Sequence, residues 1–521
     1  MKTQAYNHKI TVRYSLFIVL SVGFVASPIF AQDGYDPMSY TSLTQLFTSQ
    51  QYIGSANSAS LPSIAMENGY AGFVDNPASM SFIGTSYMDL GYLNNRVDYT
   101  QSFRGNSLEL NHRNTLFSNA GVVYKVPTKV GSLVIGGGFH TNSIYDRNLG
   151  SSAWNNQSTI TDVFKSESSD YQSIAFETYA IDYADQEQTT LESIFRIGFD
   201  DGFPGIYQQT ELNQEGRLRE YAFFLATEFR KNLHLGFSLG VSEGYHNLSR
   251  NVLEEDLDNV YDGNFIEQDE NGENGTDVSS IQLTDELRSD LLGIEARVGA
   301  LYQLHQHLNI GASWTLPSIM EVTEEYSSMV TTKFDDFLNP FYDSFEGNFT
   351  YSVTRPARFS VGAAITELKG FDVSLGLDFI SYDKTTIDLT YDQSLDFDEM
   401  AFLRDQEATI QESISRRYQS VMNTRVGLQY RFKQGAEIRT SAHWLPSKSV
   451  QIDETRTLYS AGLGIPLSRD VFLDISTQYL KWNDRSILYE YQEISSSTSI
   501  QEVISESNQK MNVLIGVKIK I

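Results

Sequence analysis

The sequence contains no cysteine among its 521 residues. This excludes a disulfide framework, a zinc–thiolate site and a cysteine nucleophile, and it suits a chain that passes through an oxidising compartment. Proline is scarce at 11 residues, and the 38 basic residues are far outnumbered by 66 acidic ones. The formal net charge of −28 argues against a nucleic-acid partner and against electrostatic docking on anionic lipid. Beyond residue 31 no apolar run approaches the ~18 residues that a membrane-spanning helix requires. Helical spans are excluded.

What the chain does have is 30 tyrosines, 31 phenylalanines and 36 glycines, a composition that fits pleated strands. A mean hydropathy of −0.30 would read as soluble. In a membrane barrel, however, outward apolar and inward polar residues cancel in such an average. The N-terminus carries Lys2, Lys9 and Arg13, an apolar stretch Leu16 to Val25, and Ile29-Phe30-Ala31 before Gln32. This order predicts a bacterial secretory signal peptide over residues 1–31, too short to be a membrane span.

Strict alternation dominates the rest. Met511, Val513, Ile515, Val517, Ile519 and Ile521 share one face, opposite Asn512, Leu514, Gly516, Lys518 and Lys520. Leu233, Leu235, Phe237, Leu239 and Val241 oppose His234, Gly236, Ser238, Gly240 and Ser242 in the same way. Fourteen such runs are predicted, near 85–103, 108–126, 131–146, 217–231, 233–249, 291–304, 307–326, 349–366, 370–391, 416–432, 435–449, 455–467, 470–489 and 505–521. Apolar faces of about nine to eleven residues match a tilted strand crossing a bilayer. Tight turns, such as Lys231-Asn232 and His305-Gln306, alternate with long excursions at 147–216, 250–290, 327–348, 392–415 and 490–504. A soluble sandwich has no reason to sort its loops by length; an outer-membrane barrel does. The fold expected is therefore all-β, a 14-stranded antiparallel transmembrane β-barrel over residues 84–521 in a bacterial outer membrane, with both termini on the periplasmic side.

The 250–290 loop is rich in carboxylates, from Glu254-Glu255-Asp256 to Asp277. It reads either as a cation site or as a solvated acidic loop. The stretch Asp269-x-Asn271-x-Glu273 lacks the glycine and the downstream glutamate of an EF-hand, so no metal is assigned. The 147–216 excursion, with Phe199 to Tyr207, is expected to be part helical and to cap the outer mouth. Gly236-Phe237-Ser238-Leu239-Gly240 matches the G-x-S-x-G string but lies mid-strand, where no nucleophile elbow forms. The histidines are scattered without partners at catalytic or metal-ligating spacing. No enzyme and no cofactor is predicted.

Residues 32–83 lack alternation and are rich in small side chains, for example Gly54-Ser55-Ala56, Gly69-Tyr70-Ala71-Gly72-Phe73 and Asp75-Asn76-Pro77-Ala78. Composition alone allows a luminal plug or a periplasmic extension. The Gly-Ser-Ala start followed by Asp75-Asn76-Pro77-Ala78 resembles the N-terminal hatch of FadL-type outer-membrane transporters. Val126 to Val134, Asn232 to Gly240, Asn309 to Ser318 and Thr424 to Tyr430 resemble their turns and strands in order, across essentially the whole chain after the signal peptide. The chain departs from the aromatic residue that usually ends such barrels, closing on Ile521, but keeps the alternation. The resemblance implies a porin-like transport barrel of fourteen strands with a hatch at 32–83, importing long-chain fatty acids or aromatic hydrocarbons. It also implies that Asn76, Pro77 and Ala78 fix the hatch.

In that family a kink in the third strand opens a lateral gap, and by likeness Gly136, Gly137 and Gly138 would line it. Alternatively these glycines relieve crowding beside a packed hatch. Apolar residues of luminal parity, Phe224, Phe472, Leu480 and Leu514, either touch solute or pack against the plug. The expected function is uptake of hydrophobic compounds by luminal binding, with a hydrophobic small molecule and outer-membrane lipid as partners. The alternative is a scaffold barrel holding a protein partner at its extracellular loops.

Overall fold

The computed structural model describes residues 39–49, 51–165, 171–185, 187–197, 199, 202–261, 277–335, 337, 339–390, 397–450, 454–493 and 498–521. The predicted signal peptide and the centre of the acidic loop, residues 262–276, lie outside the described residues.

Fourteen antiparallel strands form one barrel: β1 Tyr87–Phe103, β2 Asn106–Val126, β3 Leu133–Ile144 continued by Arg147–Asn155, β4 Ile206–Arg230, β5 Leu233–Glu255, β6 Val278–His305, β7 Leu308–Thr315 continued by Ser318–Phe334, β8 Phe341–Arg355 continued by Arg358–Leu368, β9 Phe371–Ser381 with a short extension Thr386–Asp388, β10 Ser420–Arg431, β11 Glu437–Leu445, β12 Arg456–Pro466, β13 Val471–Glu493 and β14 Thr498–Lys520. Each pairs with its neighbour in sequence, and β1 pairs with β14 from Tyr87↔Lys520 to Ser102↔Ser505. The cylinder is closed.

Large apolar side chains point outward over one band. On β4 the band runs from Phe229 through Leu225 and Phe223 to Tyr221, on β5 from Leu235 to Val241, and on β14 from Ile519 to Met511. Phe223 is 52% exposed and Ile294 on β6 is 61% exposed, as lipid-facing side chains must be in an isolated chain. Inward at this level are paired charges, among them Arg297 with Glu220 at 2.6 Å and Arg425 with Asp378 at 2.7 Å. Beyond the band the polarity reverses. On β6, Glu286, Arg288 and Asp290 point outward, whereas Leu283, Leu287 and Leu291 are buried inside. The strands therefore cross lipid over the band and then continue as the wall of a water-soluble barrel.

This reversal explains the main differences from the sequence reading. β4 starts at Ile206 rather than 217, β6 at Val278 rather than 291, and β3 continues to Asn155, because the ladder persists where the outward apolar face stops. The 147–216 excursion shrinks to an insertion between Asn155 and Ile206. It carries helices Thr161–Phe164 and Gln172–Glu177 and a ribbon pairing Ile181–Tyr183 with Leu191–Ser193. Its Ile160, Phe164, Ile194 and Phe195 are buried against Val252, Leu283, Phe334 and Tyr489 from the upper strand ends. The 392–415 excursion holds a helix, Phe397–Arg417.

The upper rim is uneven. β13 runs on from its outermost lipid-facing residue, Tyr479, to Glu493, and β5 from Val241 to Glu255. Such extensions raise the wall by roughly 35 Å at about 3.3 Å per residue and the usual tilt. Three consecutive strands do not rise. β10 starts at Ser420 beside Met422, β11 ends at Leu445 beside Trp444, and β12 starts at Arg456 near Tyr459. Among the described residues this leaves a low stretch of wall, a notch, just above the apolar band, where only the Tyr418↔Ser449 bridge joins the turn above β11 to the chain before β10.

Residues 39–86 lie within the strands. Helix Tyr40–Thr48 sits high, where Leu43 and Phe47 join Leu248, Leu287 and Tyr351 in a buried cluster. The segment then descends through helix Ala56–Ser60 and the 3₁₀ turns Tyr70–Val74 and Pro77–Phe82. Inward-facing glycines make room for it around the barrel. A Cβ at Gly121 would lie 2.0 Å from the Tyr70 ring, at Gly236 2.3 Å from Pro77 and Ala78, at Gly299 2.0 Å from Asn76, at Gly311 2.3 Å from the Ile64 carbonyl, and at Gly462 2.5 Å from Ser60. Gly299→Val is expected to leave the barrel closed but expel the segment. Limited proteolysis should then cut within residues 39–86, and planar-bilayer conductance should rise several-fold over the wild type.

Candidate functional site

A cavity of 390 Å³ lies in the lumen just above the apolar band. Its floor is formed by Gln45, Leu46, Ser49, Gln51, Tyr52 and Ile53 of the N-terminal segment. One side is formed by Ile144 to Arg147, where β3 is interrupted, and the other by Leu445 to Ser449 above β11. Val97, Leu458, Leu480 and Trp482 add apolar surface. Two ammonium groups reach into this mixed pocket. Lys448 Nζ donates to the Gln45 carbonyl at 3.2 Å and to Ser49 Oγ, and Lys510 Nζ donates to Gln51 Oε1 at 3.2 Å. Among the described residues no carboxylate comes within ion-pair distance of either. Burial, reinforced by repulsion from Arg456 and opposed by Asp484, pushes the Lys448 ammonium down to about 7. A charged amine held this way gains from an incoming anion.

Below the cavity, Asn76 Nδ2 donates to the Ile64 carbonyl at 2.7 Å and to the Ala300 carbonyl of β6 at 3.2 Å, while its Oδ1 accepts from Ala78 N at 3.0 Å. One side chain thus ties the segment to itself and to the wall. Arg425 of β10 adds an ionic tie, bonding Asp75 of the segment and Asp378 of β9 together.

The three glycines of β3 do not line an opening in this structure. Gly136, Gly137 and Gly138 pair with Val123, Val122 and Gly121 of β2 and with Phe224, Phe223 and Ala222 of β4, so both ladders run through them. Their sites are crowded on the luminal side. A Cβ on Gly136 would lie 2.3 Å from Phe224, and one on Gly138, whose φ is +150°, 2.1 Å from the Ala120 carbonyl. The β2–β3 ladder does fail further up. It ends at Asn119↔His140, and residues 106–118 of β2 have no rungs to β3. Phe117 is the last exposed aromatic residue of β2 before its polar stretch 111–115, although Leu108 is exposed further out, so the seam starts near the upper edge of the apolar band. Asp146 closes it: Asn114 Nδ2 donates to its carboxylate at 2.9 Å, His112 Nε2 lies 3.2 Å away, and Gly216 N donates to it at 3.1 Å. The same cavity touches Asp146.

Of the four apolar residues predicted to face solute, only Leu480 lines the cavity. Phe224 stacks on Phe73 of the N-terminal segment at 5.0 Å, Leu514 is buried with Ile53, Ala56 and Ala59, and Phe472 fills the space over Gly464. Packing against the segment accounts for Phe224 and Leu514. Lys448, Lys510 and Trp482 were missed. Lys510 has luminal parity between Gln509 and Met511, a readable signal, whereas Lys448 lies in an irregular turn that no periodicity marks. The G-x-S-x-G string is confirmed as mid-strand: Ser238 is buried in β5 and Gly236 is covered by the Pro77–Ala78 peptide.

The chain matches the family model described as outer membrane protein transport protein (OMPP1/FadL/TodX) over residues 48–520. It belongs to that family. Members are outer-membrane transport channels for hydrophobic compounds and not enzymes. Solved structures agree on the fold. The P. putida toluene transporter TodX is 12% identical at a TM-score of 0.50, with 90% of this chain and 99% of that chain covered. A TodX deltaS2S3 mutant monoaromatic hydrocarbon channel is 12% identical at 0.51, covering 91% and 99%. A Pseudomonas aeruginosa FadL homologue is 9% identical at 0.50, covering 91% and 98%. No curated protein matches the chain by sequence.

The glycines separate packing from opening by experiment. Gly137 faces lipid, and its Cβ would meet only the Ala222 carbonyl, at 3.1 Å. Gly137→Val should fold and transport as the wild type does, whereas Gly138→Val should fail to give heat-modifiable, folded barrel on gels.

Proposed function

We propose that this protein takes up amphiphiles with a long apolar chain and an anionic head, such as long-chain fatty acids, by holding them in the cavity between Lys448 and the β3 interruption. The observation that carries the reading is the pair of lysines which, among the described residues, have no carboxylate within ion-pair distance, in a pocket to which Val97, Ile144, Leu458, Leu480 and Trp482 add apolar surface. A neutral aromatic hydrocarbon, of the kind named for TodX, would offer neither ammonium group an ion-pair partner, whereas a fatty acid carboxylate supplies charge-assisted hydrogen bonds of about 1.5–3 kcal/mol each. Its chain gains roughly 25 cal/mol for each Å² removed from water.

In this reading the short-turn end and both termini face the periplasm, and the capped end faces outward. Residues 32–83 act as the hatch, anchored by Asn76, Pro77 and Ala78 on the glycines of β5, β6 and β7. The hatch blocks a straight aqueous path, so the ligand leaves through a rearrangement of the hatch or through the seam beside Asp146. A scaffold would need no such pocket.

Two measurements test the ligand class. Lys448→Met should raise the Kd for oleate about tenfold, near 1.4 kcal/mol, and leave binding of oleyl alcohol or toluene unchanged. Because the ammonium titrates near 7, it is charged below that pH and neutral above it, while a carboxylic acid remains ionised well below 6. Oleate affinity should therefore fall about tenfold between pH 6 and pH 8.5 in the wild type, and the part of this fall below pH 7.5 should be lost in Lys448→Met. Tight toluene binding together with oleate affinity indifferent to Lys448 would overturn the assignment.

A further inference from the structure

We propose that the ligand reaches the cavity sideways, through the notch over β10, β11 and β12 at the outer surface of the membrane, while the cap over the barrel axis stays shut. The inference rests on the cavity being the ligand site, as argued above.

The axial way in is packed. The insertion between β3 and β4 places Phe164, Ile194 and Phe195 in one apolar core with side chains from the upper ends of β5, β6, β7 and β13. Polar ties fasten it. Ser158 Oγ donates to Glu502 of β14 at 2.6 Å, Thr159 Oγ1 donates to Glu254 of β5, and Tyr171 OH donates to Asp285 of β6 at 3.1 Å. Passage along the axis would have to break this core and strand its buried polar groups in an apolar setting.

The notch differs in each respect. The regular ladder has stopped there; among the described residues the Tyr418↔Ser449 bridge closes the gap beside β10, with Gln419 N donating to the Lys448 carbonyl at 2.8 Å and Val450 N to the Arg417 carbonyl at 2.9 Å, so two backbone hydrogen bonds rather than a packed core have to open. The cavity wall consists instead of Tyr418, the turn Leu445 to Ser449, and the first residues of β12. These lie within a few residues of Met422, Trp444 and Tyr459, the outermost lipid-facing side chains of the three strands. A chain partitioned in the outer leaflet is thus beside the notch without first crossing the tall wall found elsewhere. Apolar Leu458 and Trp482 form the threshold, with Lys448 just inside. Arg456, 3.6 Å from Asp484 and 5.7 Å from the Trp482 ring, and Arg417 place cationic groups at this spot in a chain of net charge −28. An anionic head repelled by most of the surface is attracted here.

The cysteine-free chain allows a direct test. Ser447→Cys places a thiol in the notch turn, where a maleimide carrying a polyethylene glycol chain would obstruct it. A cysteine pair, Thr159→Cys with Glu254→Cys, ties the cap to β5 on oxidation. Uptake of labelled oleate into proteoliposomes is measured before and after each treatment, alongside equilibrium oleate binding by the same variant in detergent. The proposal expects at least a tenfold loss of uptake on modifying Ser447→Cys and less than a twofold change on oxidising the cap pair. Undiminished uptake after complete modification overturns it, as does loss of uptake on tying the cap. Failure of the thiol to react also counts against it, since a notch closed to the reagent would be closed to the ligand. If the untreated variants bind no oleate in detergent while the wild type does not either, the cavity assignment falls, and the notch with it; binding without notch-dependent uptake removes the notch alone.

Discussion

In hydrocarbon a backbone amide has no water to turn to, so every rung of the sheet must be made wherever the wall faces lipid. The rest of this structure follows from that constraint. Across the apolar band all fourteen ladders are present, including those through Gly136, Gly137 and Gly138. Where the wall rises into water the constraint lapses, and there the sheet becomes irregular. β2 parts from β3 above Asn119, β3 is interrupted between Ile144 and Arg147, and the regular ladders of β10 to β12 stop, with the Tyr418↔Ser449 bridge above them. The seam, bridged by Asp146, and the notch, spanned by the Tyr418↔Ser449 bridge, both sit at the upper margin of the band, and one cavity touches both.

At the level of the band the interior is occupied by the N-terminal segment. Glycines on successive strands let the N-terminal segment approach the wall backbone to backbone, and Asn76 and Arg425 supply directional ties at two points of that contact. Buried charges inside the barrel are matched in groups, as Arg297 is with Glu220 and Glu295, and Arg355 with Glu295. Removing one partner from such a group typically costs 3–5 kcal/mol, because a charge is left buried and unpaired. Other buried groups, such as Glu254 and Glu324, rely on neutral hydrogen-bond donors; in the cavity it is two ammonium groups, Lys448 and Lys510, that rely on neutral partners, and this gives the pocket its chemical identity.

How much of this could be read from the sequence depended on which physical signal each part carries. The lipid-facing halves of all fourteen strands were legible, since outward apolar and inward polar residues alternate there. Their upper halves were not, because polarity reverses: Glu286, Arg288 and Asp290 face out while Leu283 and Leu287 face in, and a reader expecting an outward apolar face sees a loop. The strings around Gly236, Gly311 and Gly427 stood out as family-like. Their meaning is steric, and appears only once Pro77, Ile64 and Leu61 are seen against them. Parity placed Leu480 correctly inside, but it could not distinguish it from Leu514 and Phe224, which point inward and are covered by the segment. Lys448 was invisible, held in place by contacts with residues some four hundred positions away in the chain.

The barrel is closed across the apolar band around a filled interior, with an amphiphilic pocket just above that band. The most direct measurement is an experimental density map of the protein purified gently from its membrane, with mass spectrometry of whatever it retains. The account predicts elongated density running from Lys448 and Lys510 toward Ile144 and Leu480, and a carboxylate-bearing lipid or a detergent in its place. A continuous aqueous channel along the axis, with residues 39–86 outside the barrel and the two lysines in bulk water, would contradict it.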